Sequence, residues 1–251
     1  MPAVKVALIT GSGKRRIGSH IAEALANRGY ALIVHYRSSA KEANESVAHF
    51  RSQGMEAVAL QADLTDEQSV DILIRAVIHQ FGRLDVLVNC AAIWKSKRLE
   101  DVTAADVRLH FETNTLGTFL CCQKAGLAMV QQPEGGCIVT FGDWAESRPY
   151  LNYAAYFPSK AAIPGMTRCL AVELGTRNPR VRANCILPGP VLLPPDLPKA
   201  ERQEAIDATL VKREGRPENI AQAVLYCIDN DFVTGDCLHV DGGRTIYARG
   251  Y

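Results

Sequence analysis

Several absences narrow the class of this chain before any motif is read. Its 28 Lys and Arg stand against 27 Asp and Glu, a formal net charge of +1, which argues against partners captured by bulk charge, nucleic acid and membrane surfaces alike. No apolar run approaches the roughly 18 uninterrupted residues of a membrane span. Met1 is followed so closely by the apolar VKVALIT that a charged leader, a long apolar stretch and a cleavage site do not fit. A soluble, cytoplasmic protein is expected. Metal-ligand spacing is missing too, because the histidines are scattered without a His-x-x-x-His pair and no Cys-x-x-Cys knuckle occurs. No metal is expected. There is also no Gly/Ser-rich linker, charge block or shift of composition, so residues 1–251 read as one domain.

What is present fits a large buried core, with 47% of residues hydrophobic. The eight cysteines lie mostly in apolar segments such as LVNCAA and ANCILPG. They read as reduced, buried thiols rather than a disulfide framework. Short β-rich runs alternate with helix-period stretches from end to end. KVALIT, ALIVHY, EAVALQAD, DVLVN, CIVTF, RANCIL and CLHV read as strands. Helices are expected over 18–28, 40–53, 66–82, 103–131, 154–176 and 217–230. Strands apolar on both faces, each followed by a helix, specify a parallel sheet covered on both sides. The expected fold class is therefore α/β, a doubly wound Rossmann-like parallel sheet of about seven strands. Ligands of such sheets sit beyond the carboxyl ends of the strands, where strand order reverses.

The first strand runs into TGSGKRRIGSHIAEAL, a glycine-rich turn before an amphipathic helix. Such a turn lets backbone amides approach a pyrophosphate at the positive end of the helix. A Walker A loop is excluded, since that motif needs glycine where Leu8 stands and Ser or Thr where Arg15 stands. The second strand ends in HYRSSAKEAN. An NAD-binding fold would place a carboxylate there, whereas Arg37 with Ser38 and Ser39 suits the extra 2′-phosphate of NADP. Tyr156 and Lys160 are four apart, so on a helix they share a face. An ammonium beside the phenol would lower its pKa from about 10 and fit Tyr156 to exchange a proton. Pro158 and Pro164 each remove a helical hydrogen bond, so this helix is expected to start late or to kink.

Seven landmarks in order make the chain resemble the short-chain dehydrogenase/reductase family over essentially its full length. They are TGSGKRRIG, ADL at 62–64, NCAA at 89–92, NTLG at 114–117, YFPSK at 156–160, PGP at 188–190 and VDGG at 240–243. The glycine loop is one residue longer than that family's usual T-G-x-x-x-G-x-G, and NCAA replaces N-N-A-G. The resemblance implies NADP(H) as cofactor. Its contacts would come from Gly11, Ser12, Arg16, Ile17 and Gly18 in the loop, and from Tyr36, Arg37 and Ser38 after the second strand. Asp63 and Leu64 would lie at the adenine, Asn89 and Ala91 along the cleft, and Pro188 and Gly189 beside the nicotinamide, with Tyr156 and Lys160 completing the set. The same resemblance makes Tyr156 the proton donor and Asn114 a station of its relay, and it implies a homotetramer.

Most of that family carries a serine thirteen residues before the tyrosine; this chain has Asp143. An ionised carboxylate has no proton to donate and would repel the oxyanion of a ketone under reduction. Pteridine reductases carry aspartate there, and this chain is similar to them further in HYRSSAKEAN and in the Lys-Arg of its glycine loop. The expected substrate is a small pterin-like molecule, a dihydropterin or dihydrofolate, reduced at C=N. Asp143 and Tyr156 would contact it, and Trp94, or else Trp144, would stack on its ring. The alternatives are a short-chain reductase or dehydrogenase acting on a carbonyl or alcohol, and a non-catalytic NADP(H) sensor.

Overall fold

The computed structural model describes residues 4–247. Seven strands form one sheet: β1 Val6–Thr10, β2 Ala31–Tyr36, β3 Ala57–Gln61, β4 Val86–Asn89, β5 Gly136–Phe141, β6 Val181–Pro188 and β7 Cys237–Val240. Every pairing is parallel, in the order β3-β2-β1-β4-β5-β6-β7. Strand order reverses between β1 and β4, so a crevice opens at their carboxyl ends. All residues of β1 are buried, as a strand covered on both faces requires.

Helices α1 Ile17–Ala26, α2 Ala40–Ser52 and α3 Glu67–Phe81 follow the first three strands. Beyond β4 come α4 Ala104–His110, α5 Gly117–Val130 and α6 Tyr156–Arg177, then α7 Lys199–Asp207 and α8 Pro217–Asp229. Ile21, Val47, Phe50 and Val224, from α1, α2 and α8, pack with Ile9, Leu32 and Val139 on one face. Leu73, Cys121 and Leu174, from α3, α5 and α6, pack with Leu8, Ile33 and Ile138 on the other. Adjacent strand residues thus serve opposite cores, the period of two that a pleated strand imposes. Local chemistry sets the ends: Asp66 caps α3 by accepting the Gln68 amide at 2.9 Å, and Gly82 closes it at φ 72°.

Two expectations need correction. The stretch expected as one helix over 103–131 is three segments, because residues Phe111–Leu116 between α4 and α5 form a π turn. The helix of the Tyr-Lys pair does not start late. α6 begins at Tyr156 itself and runs through Pro164. Pro158 falls in its first turn, where backbone N–H groups have no helical partner anyway. Pro164 removes only the bond that the Lys160 carbonyl would have accepted.

Candidate active site

The expected cofactor residues gather at the carboxyl ends of β1 to β4 and β6. Gly11 turns the chain at φ +66°, and a Cβ there would sit 2.8 Å from the Ala91 Cα. Gly13 is crowded by side chains instead, since its Cβ would lie 2.9 Å from the Ser39 hydroxyl and 3.0 Å from the Tyr36 Cβ. The added residue of the loop is thus absorbed by tucking Gly13 under the corner between β2 and α2. Ser12 is buried and donates to the Ile9 carbonyl at 2.8 Å. Arg16 caps α1, exchanging bonds with the Ser19 hydroxyl at 3.1 and 2.7 Å, and it leads into Ile17 and Gly18. Lys14, Arg15, Arg16, Arg37 and Ser38 are all exposed on this rim. A side-chain-free cradle ringed by cations fits a phosphate-rich dinucleotide.

Deeper in the cleft, Asp63 accepts the Thr65 amide at 3.0 Å and hydroxyl at 2.8 Å; these bonds hold its carboxyl below the ordinary carboxylate range. Asn89 donates to the Cys122 sulfur at 3.2 Å, and its buried carbonyl oxygen has no protein partner. Leu64 lies against Gly117, and Gly189, after Pro188, lies against Asp241. Tyr36 packs beside Gly13.

His35 holds the glycine loop in place and is a residue that the sequence reading passed over. Its Nδ1 accepts the Gly11 amide at 3.0 Å and its Nε2 donates to the Ala62 carbonyl at 3.1 Å, which fixes a neutral tautomer. Burial pushes its pKa down to about 4. A histidine inside the apolar run ALIVHY was the signal available.

At the mouth of β5, the Tyr156 hydroxyl donates to Asp143 Oδ2 at 2.8 Å, and the Ala145 amide donates to Oδ1 at 2.9 Å. One carboxylate oxygen therefore caps the turn Trp144–Glu146 while the other faces the phenol. Burial pushes the Asp143 carboxyl up. It also pushes the Tyr156 phenol well up, with the charge of Asp143 adding to the shift. The expectation of a lowered phenol pKa is therefore corrected. The buried Lys160 ammonium donates to the Phe141 carbonyl at 2.6 Å instead of to the phenol, and burial lowers its own pKa.

Asn114 sits in the π turn, and its side chain is a strut. It accepts the Ile93 amide at 2.8 Å and donates to the Ile93 carbonyl at 3.1 Å and to the Ser159 hydroxyl at 3.0 Å. The strut ties the loop after β4 to α6, and Ser159 in turn donates to the Tyr156 carbonyl at 2.6 Å. Of the two tryptophans, Trp94 is 45% exposed and Trp144 only 8%. Trp94 stacks on Tyr153 at 5.0 Å and 9°, whereas Trp144 lies beneath the Arg244 guanidinium at 4.5 Å. Trp94 and Tyr153 form the accessible flat wall; Tyr153 was not foreseen.

Comparisons with known proteins agree with this geometry along the whole chain. A family model described as enoyl-(acyl carrier protein) reductase matches residues 11–245. The (2S)-[(R)-hydroxy(phenyl)methyl]succinyl-CoA dehydrogenase subunit BbsD of Thauera aromatica is 34% identical, over 97% of this chain and 98% of its own. The 3-oxoacyl-[acyl-carrier-protein] reductase FabG of Staphylococcus aureus is 32% identical over 97% and 99%. Among solved structures, a blue fluorescent protein from a metagenomic library, in complex with NADPH, superposes with a TM-score of 0.87 at 33% identity, covering 96% of this chain and 98% of that one. A short-chain dehydrogenase from Burkholderia cenocepacia in complex with NADP gives 0.87 at 32%, covering 96% and 97%. The glycine cradle, the Tyr156–Lys160 pair at the end of β5 and this full-length likeness have one common explanation: the chain belongs to the short-chain dehydrogenase/reductase family and is an NAD(P)-dependent oxidoreductase.

Proposed function

We propose that this chain is an NADPH-dependent ketone reductase in which Tyr156 and Asp143 hold the proton that reduction consumes. The observation that carries this reading is the 2.8 Å bond from the Tyr156 hydroxyl to Asp143, in surroundings that push both groups toward their protonated forms. A pair that resists losing protons to solvent gives one up when negative charge develops on a substrate oxygen beside it. The objection that an aspartate repels the oxyanion applies to the ionised form. Burial favours the protonated carboxyl, and in that form it would donate a hydrogen bond, as the more usual serine would. The names of the two relatives above, a 3-oxoacyl reductase and a hydroxyacyl-CoA dehydrogenase, support carbonyl and alcohol chemistry.

The cofactor, when bound, supplies the hydride. Tyr156 would deliver its proton to the substrate oxygen while Asp143 orients the phenol. The Lys160 cation, fixed on the Phe141 carbonyl, would offset the negative charge left behind, and Asn114 would keep α6 in register with the loop after β4. Arg37 and its neighbouring cations support a preference for NADPH. Arg37→Asp should weaken NADPH binding at least tenfold and NADH binding far less, as titration of each cofactor by fluorescence would show. Equal use of both cofactors by the native protein would remove that preference.

A second reading, reduction of a dihydropterin at C=N, is favoured by Asp143 in place of serine and by the parallel Trp94–Tyr153 pair, a wall suited to a flat ring. NADPH oxidation measured against a ketone panel (3-oxoacyl thioesters and diketones) and a 7,8-dihydropterin panel separates the readings. Turnover on ketones is expected. Turnover confined to dihydropterins would establish the second reading, and cofactor binding without turnover on either panel would point to the sensor.

A further inference from the structure

Two thiols lie side by side where the last two strands of the sheet meet, beside Gly142 and within reach of the Lys160 charge but with no part in the proton transfer described above. Cys185 of β6 and Cys237 of β7 are direct partners in the parallel register, so their side chains leave the same face. Neighbouring strands run about 4.8 Å apart, within the window of about 4.4–6.8 Å between Cα atoms that a disulfide spans. The Cys185 sulfur is buried and packs with Ile163 and Leu187, with Cys237 against the same cluster. Cys237 is only half-buried, and its sulfur accepts a hydrogen bond from the Arg168 guanidinium of α6 at 3.4 Å.

We propose that Cys185 and Cys237 are a redox-active dithiol, which hydrogen peroxide closes to a disulfide across β6 and β7. The neighbouring Cys185 thiol and the Arg168 guanidinium draw the Cys237 pKa down to about 7; nearness to Cys237 and burial push Cys185 up, and its thiol donates to the Ile186 carbonyl at 3.7 Å. The accessible member is therefore the nucleophile and the buried member holds its proton. The Cys237 thiolate attacks the peroxide O–O bond, leaving a sulfenic acid and releasing one water once the hydroxide takes a proton. Cys185 sulfur then attacks the sulfenic sulfur. The S–S bond forms, the S–O bond breaks, and the Cys185 proton leaves with the hydroxide as a second water. Two thiols are oxidised by two electrons and the peroxide is reduced by two. Cys90, Cys121 and Cys137 are pushed up to about 12 by burial, so they compete poorly. Cys169 is exposed and is the natural internal competitor.

The test uses the full-length protein, reduced and freed of reductant, then treated with a small excess of hydrogen peroxide. Remaining thiols are blocked with N-ethylmaleimide in denaturant and counted by intact mass. Of the eight cysteines, six should take label after peroxide and eight after subsequent dithiothreitol, with a peptide map joining Cys185 to Cys237. Cys237→Ser should keep all seven of its thiols free of any disulfide. Cys185→Ala, if folded by circular dichroism, should accumulate a sulfenic acid at Cys237 that dimedone traps. The native-protein map needs neither variant. Eight labels after peroxide, a link through any other cysteine, or oxidation confined to Cys169 would each overturn the proposal.

Discussion

Asp143 does two things with two oxygens, and substitutions can tell them apart. Oδ1 accepts the Ala145 amide and Oδ2 the Tyr156 hydroxyl. Asn and Ser both cap a turn well, so Asp143→Asn and Asp143→Ser should leave the melting temperature nearly unchanged while altering the chemistry. Under the ketone reading, Asp143→Ser keeps a hydroxyl donor and retains ketone turnover within about tenfold. Asp143→Asn presents an amide that cannot pass a proton and should fall by about two orders of magnitude. The ratio of kcat/KM for a diketone to that for a dihydropterin, in native protein and both variants, is the measurement. If that ratio stays constant, position 143 does not read the substrate. Tyr156→Phe removes the hydroxyl alone and should lower turnover by about two orders of magnitude or more with NADPH affinity unchanged. Near-native turnover would make Tyr156 structural. The sequence reading grouped Tyr156, Lys160 and Asp143, and the structure sets the phenol against Asp143 and the ammonium on the Phe141 carbonyl. Spacing along a helix records which groups are neighbours; it carries no information on how much water burial removes, and here burial and Asp143 set the direction of the phenol's shift.

At the scale of elements, His35 joins β2 to the glycine loop and to the chain after β3. Its folded pKa of about 4 lies below the ordinary 6.5, so between those values the unfolded chain takes a proton that the folded one refuses. Stability is therefore full above about pH 6.5 and declines as pH falls toward 4, by about 3 kcal/mol over the whole window. His35→Gln supplies an acceptor for Gly11 and a donor for Ala62 without titrating. Thermal melts of both proteins from pH 7 to 4 should show a markedly shallower decline in the variant; parallel curves would mean the histidine is not the group responsible. All seven strands were legible because each is a short apolar run bounded by polar turns. Helix α7 was missed for the opposite reason: Lys199–Asp207 buries none of its side chains, so no apolar period marks it. The π turn was invisible because the apolar spacing continues through it, and nothing in residue type distinguishes a turn that holds one residue more.

For the whole molecule, the stretch from α4 to α5 shows the solvent a row of apolar side chains, Val107, Leu109, Phe111, Leu116, Phe119 and Leu127. Exposed apolar side chains of this kind suit a contact between copies, of which the tetramer expected from the sequence is one form. Light scattering should give four times the chain mass, with Phe119→Asp shifting it toward smaller species; a native monomer would count against assembly. The same stretch contains Asn114, so one segment serves the catalytic cleft inside and the apolar row outside, with the π turn between the two helices. Deleting any one residue from 111–116 would let an ordinary α-helix run straight through. The flanking α4 and α5 would stay nearly in phase, since a π turn absorbs its extra residue within the turn, but Asn114 would lose the bulged backbone from which it reaches Ile93 and Ser159. Over generations this segment can be respelled everywhere but at Asn114 and hardly ever relengthened: most of its letters are negotiable and its count is not.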